Sequence, residues 1–170
     1  PVCAGANFHL QAEFEDGTVW VGQSQITARP HPPIRQLTLV EKRGAAFVAA
    51  RPAVNPIAES ALRDSALVAY CMGSFYTSLV SNLLVEGMGQ AIRETKRPKV
   101  FVANLLRDLE TPQLTVSGML RELHRYCQLT DSRPGTLDDY VHYVLVGTHG
   151  DREVGGRVPV DLAAIRALGV

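Results

Sequence analysis

The sequence predicts an α/β protein, in which a mostly parallel sheet lies between helices on both faces and follows an N-terminal β-hairpin. Three observations lead to this prediction. Strand-like and helix-like segments alternate along the chain, a strong turn signal (Asp16-Gly17) lies near its start, and two strand-like segments are almost entirely apolar. Continuous apolar strands are typical of sheets buried on both faces, as in three-layer Rossmann-like folds.

The N-terminal segment has the pattern of a hairpin. Asp16-Gly17 separates two strand-like runs, Phe8–Phe14 and Thr18–Gly22. An Asp-Gly pair favours the tight turns that join neighbouring antiparallel strands. A proline-rich stretch at residues 30–33 then interrupts regular structure before a strand predicted at Gln36–Val40.

Further along the chain, strands alternate with helices at the spacing of parallel crossover units. Asn55-Pro56 combines a capping side chain with a proline suited to the first helical position, and so marks a helix start. The crossovers in such an arrangement are right-handed. The elements predicted after that helix are a strand at Ala66–Cys71, a helix at Leu83–Thr95, a strand at Lys99–Ala103, a helix at Thr115–Cys127 and a strand at Tyr140–Val146.

Composition limits the classes of partner. The 170 residues suffice for a single domain over 1–170, and the formal net charge is zero. A neutral chain has no long-range field for nucleic acid or an anionic membrane, so neither is expected as a partner. The sequence shows no secretory signal and no run of about 18 apolar residues. Three widely spaced cysteines fit reduced thiols in the cytoplasm, and Cys71 is predicted to be a core residue.

The loop after the strand at Ala66–Cys71 is the first candidate binding element. It contains one glycine and four side-chain hydroxyls before a predicted helix start, a composition that suits a phosphate or another anion. The alternative is ordinary turn and capping chemistry, for which Gly, Ser and Thr are equally suited. The candidate ligand-binding residues here are Gly73, Ser74, Tyr76, Thr77, Ser78 and Asn82.

A second candidate element follows the strand at Lys99–Ala103. Asn104 stands at its carboxyl end, and Glu110 and Thr111 follow in the next loop. Since ligands of open parallel sheets bind beyond the carboxyl ends of the strands, these residues are expected beside the first loop. Asn104 can equally serve as a turn residue. The sequence offers no paired acid and base and no metal-ligand cluster, and the segment around His149 is interpreted as a polar turn.

The residues from Asn55 to Leu106 resemble the CofD/YvcK-like superfamily. Their pattern is similar to the family line ADLIVxGPGSLYTSxxPNLLVxGIxxAI followed by PKVYVxNL. His9–Thr27 resembles the family's EDGTxxxGES hairpin, and Val158–Val170 resembles its VxVDLxxLxxLGV tail. In this chain Cys71 and Met72 replace the first Gly and the Pro of the GPGS motif.

The resemblance implies two alternative functions. The GSFYTS loop is closer to the gluconeogenesis-factor branch, which implies a regulator of carbon metabolism and cell-envelope synthesis that binds a nucleotide or nucleotide-sugar. The other branch implies a 2-phospho-L-lactate transferase, which moves a phospho-hydroxyacid from a nucleotide donor to a flavin-like acceptor with Mg²⁺ as the expected ion.

The resemblance also bears on the extent of the domain and on individual residues. It places Asn104 and the Glu110-Thr111 pair at the ligand crevice. The family's opening Gly-rich turn is not found near Pro1, so the chain is expected to be the C-terminal portion of a longer family domain or a naturally short paralogue. A degenerate paralogue that binds no ligand is a third alternative for the function, and the sequence leaves open whether the chain forms a homo-oligomer.

Overall fold

The computed structural model describes residues 2–3, 7–147 and 156–170, and it confirms the α/β class. Its strands form two sheets, one antiparallel with four strands and one parallel with three. In chain order the elements are β1 (Phe8–Phe14), β2 (Val19–Val21), α1 (Gln23–Thr27), β3 (Ile34–Arg43), β4 (Ala46–Ala50), α2 (Pro56–Asp64), β5 (Val68–Tyr70), a π-helical turn (Phe75–Val80) continued by α3 (Ser81–Leu83), α4 (Met88–Glu94), β6 (Lys99–Val102), α5 (Val116–Leu129), a 3₁₀ turn (Leu137–Asp139), β7 (Tyr143–Leu145) and α6 (Leu162–Ala167).

The predicted hairpin is present and belongs to a larger antiparallel sheet, with strand order β2-β1-β3-β4. The Asp16 carboxylate accepts hydrogen bonds from the backbone N–H and the hydroxyl of Thr18, while Gly17 adopts φ +82°. β3 extends beyond the predicted strand at both ends and turns at Gly44 into β4. β4 was not predicted, because Ala46–Ala50 contains three alanines and only one β-branched residue.

The parallel sheet has the order β5-β6-β7, and its register places Tyr70 beside Phe101 and Phe101 beside Val144. The helix start at Asn55 is confirmed, since its side-chain oxygen accepts from the N–H of Ile57 at 2.9 Å. The prediction of a single helix at Leu83–Thr95 is wrong, because the chain forms two helices, α3 and α4, in this region. Gly87, with φ +85°, separates α3 from α4 in a conformation that a continuous helix does not contain.

Helix α5 forms the centre of the core. Its inner side, including Met119, Leu120 and Leu123, is fully buried. The hydroxyl of Tyr126 accepts a hydrogen bond from the N–H of Leu37, which connects α5 to the antiparallel sheet. Cys127 is also buried, and burial raises its thiol pKa to about 12. One helix therefore joins both sheets in one core.

Cys71 is not in this core, and the prediction that it would be is wrong. In β5, Val68 and Tyr70 are buried and Ala69 is exposed, so the alternation places position 71 on the exposed side, just beyond the end of the strand. Its side chain is exposed in the loop that follows β5. The small buried thiol of this fold is Cys127 instead.

The two faces of the parallel sheet differ in their coverage. Val68, Tyr70 and Phe101 occupy alternate positions and are buried on one face. On the opposite face, Tyr143 and Leu145 are more than half exposed. Within the described residues, one face of the sheet is thus more deeply buried than the other.

Gly89 in α4 provides a test of how closely α4 packs on α5. A Cβ atom at this position would lie 1.9 Å from the carbonyl oxygen of Cys127, which is backbone and cannot rotate away. We expect Gly89→Ala to lower the free energy of unfolding by about 3 kcal/mol, because overpacking displaces one helix from the other. Chemical denaturation measures the change.

Gly118→Ala is the matched control within α5. A Cβ there would meet only side-chain atoms, at 3.4 Å or more, and alanine has the better helix propensity. The control should change stability by no more than about 1 kcal/mol. Equal effects of the two substitutions would contradict the close α4–α5 contact.

Candidate functional site

The two predicted binding loops meet at the carboxyl ends of β5 and β6. The side-chain amide of Asn104 donates to the carbonyl oxygen of Gly73 at 2.8 Å. In return, the N–H of Gly73 points at the side-chain oxygen of Asn104 at 3.4 Å. The structure therefore brings both predicted elements to the same edge of the sheet, as parallel strand order requires.

A buried carboxylate fixes the start of the helical segment that follows Gly73. Glu110 is 1% exposed, and one of its oxygens accepts from the N–H groups of Tyr76 and Thr77 at 2.9 and 3.0 Å. Its other oxygen accepts from the hydroxyl of Thr77 at 2.5 Å. Glu110 satisfies N–H groups that the first turn of a helix leaves without intrahelical partners.

Asp108 completes this arrangement from the same loop. One carboxylate oxygen accepts from the N–H of Phe75 at 3.2 Å. The other accepts from the N–H groups of Glu110 and Thr111 and from the Thr111 hydroxyl, at 2.7 to 3.1 Å. Asp108 thus shapes the loop that carries Glu110. It was not among the candidate residues, although an Asp followed two and three residues later by Glu and Thr is a pattern suited to such a turn.

These contacts change the interpretation of the helix start. Three successive N–H groups, from Phe75 to Thr77, already donate to carboxylates of the protein. The positive end of the helix dipole is therefore compensated internally. A phosphate at these N–H groups would have to displace Asp108 and Glu110.

The candidate residues accordingly divide into two groups. The buried group forms the frame: Tyr76, Thr77, Glu110 and Thr111 are each at most 4% exposed. The Tyr76 hydroxyl donates to Glu122, and burial raises the pKa of this phenol well above its usual range. The accessible group consists of Gly73, Ser74, Ser78, Asn82 and Asn104.

Two cavities border the accessible group. One of about 570 Å³ lies beside β5 and is lined mainly by apolar side chains, with Gly73, Ser78 and Asn82 among its lining residues. The other, of about 380 Å³, is lined by Thr27, Ser74, Arg107, Asp108, Leu109 and Glu110. Arg107 brings a cationic side chain to this polar cleft beside Ser74. Arg107 lies within the second candidate element, but it was not among the candidate ligand-binding residues, because its proximity to Ser74 depends on the fold.

The described residues show neither a metal-binding cluster nor a membrane-spanning helix. Across 2–3, 7–147 and 156–170, no group of three or more His, Cys, Asp and Glu side chains is arranged to hold a metal ion. The segment at 149–152, interpreted from sequence as a polar turn, lies outside the described residues. No helix in the described parts of the chain combines the length and the apolar character needed to cross a bilayer.

Comparison with known proteins identifies the family. The family described as "2-phospho-L-lactate transferase CofD" matches residues 1–170. The chain belongs to the CofD family. It is 30% identical over 175 residues to the gluconeogenesis factor of Halalkalibacterium halodurans, covering 95% of this chain and 48% of that protein. It is 28% identical over 172 residues to the gluconeogenesis factor of Bacillus subtilis, covering 98% of this chain and 50% of that protein.

Solved structures agree with this CofD assignment. A crystal structure of a Bacillus halodurans protein superposes with a TM-score of 0.78 and 26% identity, covering all of this chain and 52% of that one. A second crystal structure of a protein from this species gives a TM-score of 0.74 at 27% identity, with 96% and 50% coverage. The resemblance to CofD and gluconeogenesis-factor proteins predicted from sequence is confirmed. The chain spans about half the length of the curated relatives it matches.

The role of Glu110 can be tested by stability. Glu110→Ala removes the acceptor of two buried N–H groups, and an unpaired buried donor costs about 1–3 kcal/mol, so we expect a loss of about 3 kcal/mol. Glu110→Gln should lose less, because its amide oxygen still accepts both bonds and its NH₂ group can donate to the Thr77 hydroxyl. Urea unfolding of both variants provides the measurement.

Glu59→Ala is the control for loss of a glutamate. Glu59 is partly exposed and pairs with Arg63 one helical turn away, an arrangement worth about 0.5 kcal/mol. A loss for Glu110→Ala no larger than for Glu59→Ala would show that Glu110 does not hold the loop.

Proposed function

We propose that this CofD-family chain binds a phosphate-bearing metabolite, a nucleotide or nucleotide-sugar, at the carboxyl edge of β5 and β6. The observation that carries the proposal is the contact of the two loops through Asn104 and Gly73, between a polar cleft and an apolar cavity. A ligand with a charged part and a ring part requires such a pair of environments.

The polar cleft suits the phosphate. Arg107 supplies a guanidinium, whose planar donors match phosphate oxygens, and Ser74 supplies a hydroxyl on the opposite loop. Gly73 lets the backbone come close to the ligand, because no side chain stands there. Asp108 and Glu110 are acidic residues of the same cleft, and their hydrogen bonds to backbone N–H groups keep their charge engaged with the frame.

The cavity beside β5 suits the base or sugar. Its volume of about 570 Å³ falls within the usual range for small-molecule sites. Ser78 and Asn82 line it and can form hydrogen bonds with a ring substituent, although the Asn82 amide also donates to the carbonyl oxygen of Ser78. Tyr76, Thr77, Glu110 and Thr111 act in this proposal by positioning the loop.

The biological role follows from the relatives. Relatives that match 95% or more of the chain are named gluconeogenesis factors. We therefore favour a cytoplasmic regulator of carbon metabolism and cell-envelope synthesis that senses its metabolite by binding, without turnover. Neither nucleic acid nor membrane is part of this proposal.

A second candidate is a transferase of the 2-phospho-L-lactate type, which the description of the matching family favours. Such an enzyme would move a phospho-hydroxyacid from a nucleotide donor to a flavin-like acceptor, with Mg²⁺ on the diphosphate. Magnesium-dependent transfer that the double variant Ser74→Ala, Asn104→Ala abolishes would establish the transferase and overturn the regulator.

Gly73→Val tests the binding proposal directly. A Cβ atom at Gly73 would meet only Ser78 Cβ, at 3.7 Å, so the fold accommodates a side chain there. The valine would nevertheless obstruct the approach of a ligand to the loop. We expect at least a tenfold loss of affinity for UDP-glucose or GDP-mannose in calorimetry, with an unchanged melting temperature.

Ala46→Val is the matched control, since it introduces the same side chain at an exposed position of β4. It should leave affinity unchanged. Undiminished affinity of the Gly73→Val variant would remove Gly73 from the site, and a large drop in its melting temperature would assign Gly73 a structural role.

A further inference from the structure

The segment 156–161 connects the loop that carries Arg107 with the central helix α5. At one end, the segment and the loop pair as a short antiparallel bridge. The N–H of Arg107 donates to the carbonyl oxygen of Gly156 at 2.6 Å, and the N–H of Val158 donates to the carbonyl oxygen of Leu105 at 3.2 Å. The segment therefore fixes the backbone of Arg107, while the residue itself remains exposed.

The other end of the segment is bound to the start of α5. The N–H of Val116 donates to the carbonyl oxygen of Pro159 at 3.1 Å. The next N–H, from Ser117, donates to one carboxylate oxygen of Asp161 at 3.0 Å, and the Ser117 hydroxyl donates to the other at 2.6 Å. Ser117 is fully buried, so water cannot take over these bonds. The segment is thus anchored to the helix at the centre of the core.

The side chain of Asp161 makes a contact that its position in the chain does not predict. Asp161 immediately precedes α6, where an Asp ordinarily caps the helix that follows it. Its carboxylate instead accepts both bonds from Ser117 of α5. α5 has its own cap, because the Thr115 side chain accepts from the N–H of Gly118. The Asp161 carboxylate therefore joins two distant elements in addition to the local cap.

We propose that Asp161 is a positioning residue for phosphate recognition, which acts through the segment 156–161 on Arg107. The inference rests on the function proposed above, because Arg107 is the cation assigned there to the phosphate. Asp161 itself does not contact the ligand in this proposal. It holds the segment on α5, and the segment holds the backbone from which the guanidinium reaches into the polar cleft.

The position of the Arg107 backbone matters because the side chain is long and exposed. A guanidinium matches two phosphate oxygens only when its planar donors are correctly oriented. Asn104 and Asp108, on either side of Arg107, attach the loop to Gly73 and Phe75. At Arg107 itself, the backbone bond goes to the segment. A loop held in this way needs less ordering when a phosphate binds.

The first test requires no ligand. Hydrogen exchange measured by NMR reports whether the N–H of Arg107 stays bonded to Gly156. Asp161→Ala should speed exchange of the Arg107 amide about tenfold or more, because local opening becomes easier when the segment loses an anchor. Asp16→Ala is the matched control, since Asp16 also accepts from the N–H and the hydroxyl of one residue, Thr18, in the β1–β2 turn. The control should leave the Arg107 amide unchanged.

The second test is a double-mutant cycle on the affinity for UDP-glucose, measured by calorimetry. Asp161→Ala should weaken binding about fivefold or more, because the guanidinium must then be ordered by the ligand. In a chain that already carries Arg107→Ala, it should have no further effect, because the side chain that it positions is gone. Asp161→Asn keeps an acceptor for the Ser117 N–H and should recover part of the affinity. Asp16→Ala should bind as the unmodified chain does.

The two tests can overturn the proposal in different ways. Equal losses of affinity with and without Arg107→Ala would assign Asp161 a purely structural role, and unchanged exchange at Arg107 in a chain that binds UDP-glucose would overturn this inference alone. An unmodified chain that binds neither UDP-glucose nor GDP-mannose would overturn the proposed function and, with it, the role of Asp161 in binding. If circular dichroism shows that Asp161→Ala does not fold, Ser117→Ala, which removes the hydroxyl bond alone, replaces it under the same criteria.

Discussion

The arrangement of the site depends on the hydrogen bonds that the Glu110 carboxylate accepts. It belongs to the loop after β6, yet its hydrogen bonds go to Tyr76 and Thr77 in the segment after β5. Because Glu110 is buried, its hydrogen bonds take the place of the water molecules that would otherwise satisfy the first N–H groups of the helical segment. Together with the Asn104–Gly73 contact, it fixes the distance between two loops that adjacent parallel strands only bring to the same edge.

This internal capping shifts where a ligand can be recognised. In many phosphate sites, the first N–H groups of a helix bind the anion. Here Asp108 and Glu110 occupy those groups. In the proposed function, recognition therefore falls to side chains and backbone just outside the frame, at Gly73, Ser74 and Arg107. Under that proposal, a loop already held by these hydrogen bonds needs less ordering when ligand binds.

Local chemistry made part of this structure predictable. The Asp16-Gly17 turn and the Asn55 cap act within a few residues, so the sequence indicates them directly. The meeting of Gly73 and Asn104 followed from strand order alone. The break at Gly87 was not predicted, because glycine is tolerated within helices and only its positive φ reveals the interruption. The exposure of Cys71 depended on which face of β5 is buried, and tertiary contacts decide that.

The role of Glu110 shows the limit of sequence reasoning most clearly. The family resemblance selected Glu110 and Thr111 as ligand-crevice residues, and the structure places both in the buried frame of that crevice. Which acid bonds to which N–H group depends on tertiary contacts between residues 33 or 34 positions apart. No local pattern specifies such a pair. Arg107 likewise became a candidate only when the fold placed it beside Ser74.

The most direct measurement is an amide NMR titration of the 170-residue chain with UDP-glucose and GDP-mannose. The account predicts that the resonances of Gly73, Ser74, Asn104 and Arg107 shift with saturation. The amides of Tyr76 and Thr77 should remain protected from hydrogen exchange, because Glu110 holds them in the free and the bound state. If ligand instead shifts Tyr76 and Thr77 most strongly and leaves Ser74 and Arg107 unchanged, the phosphate has displaced the carboxylate and the central claim is contradicted.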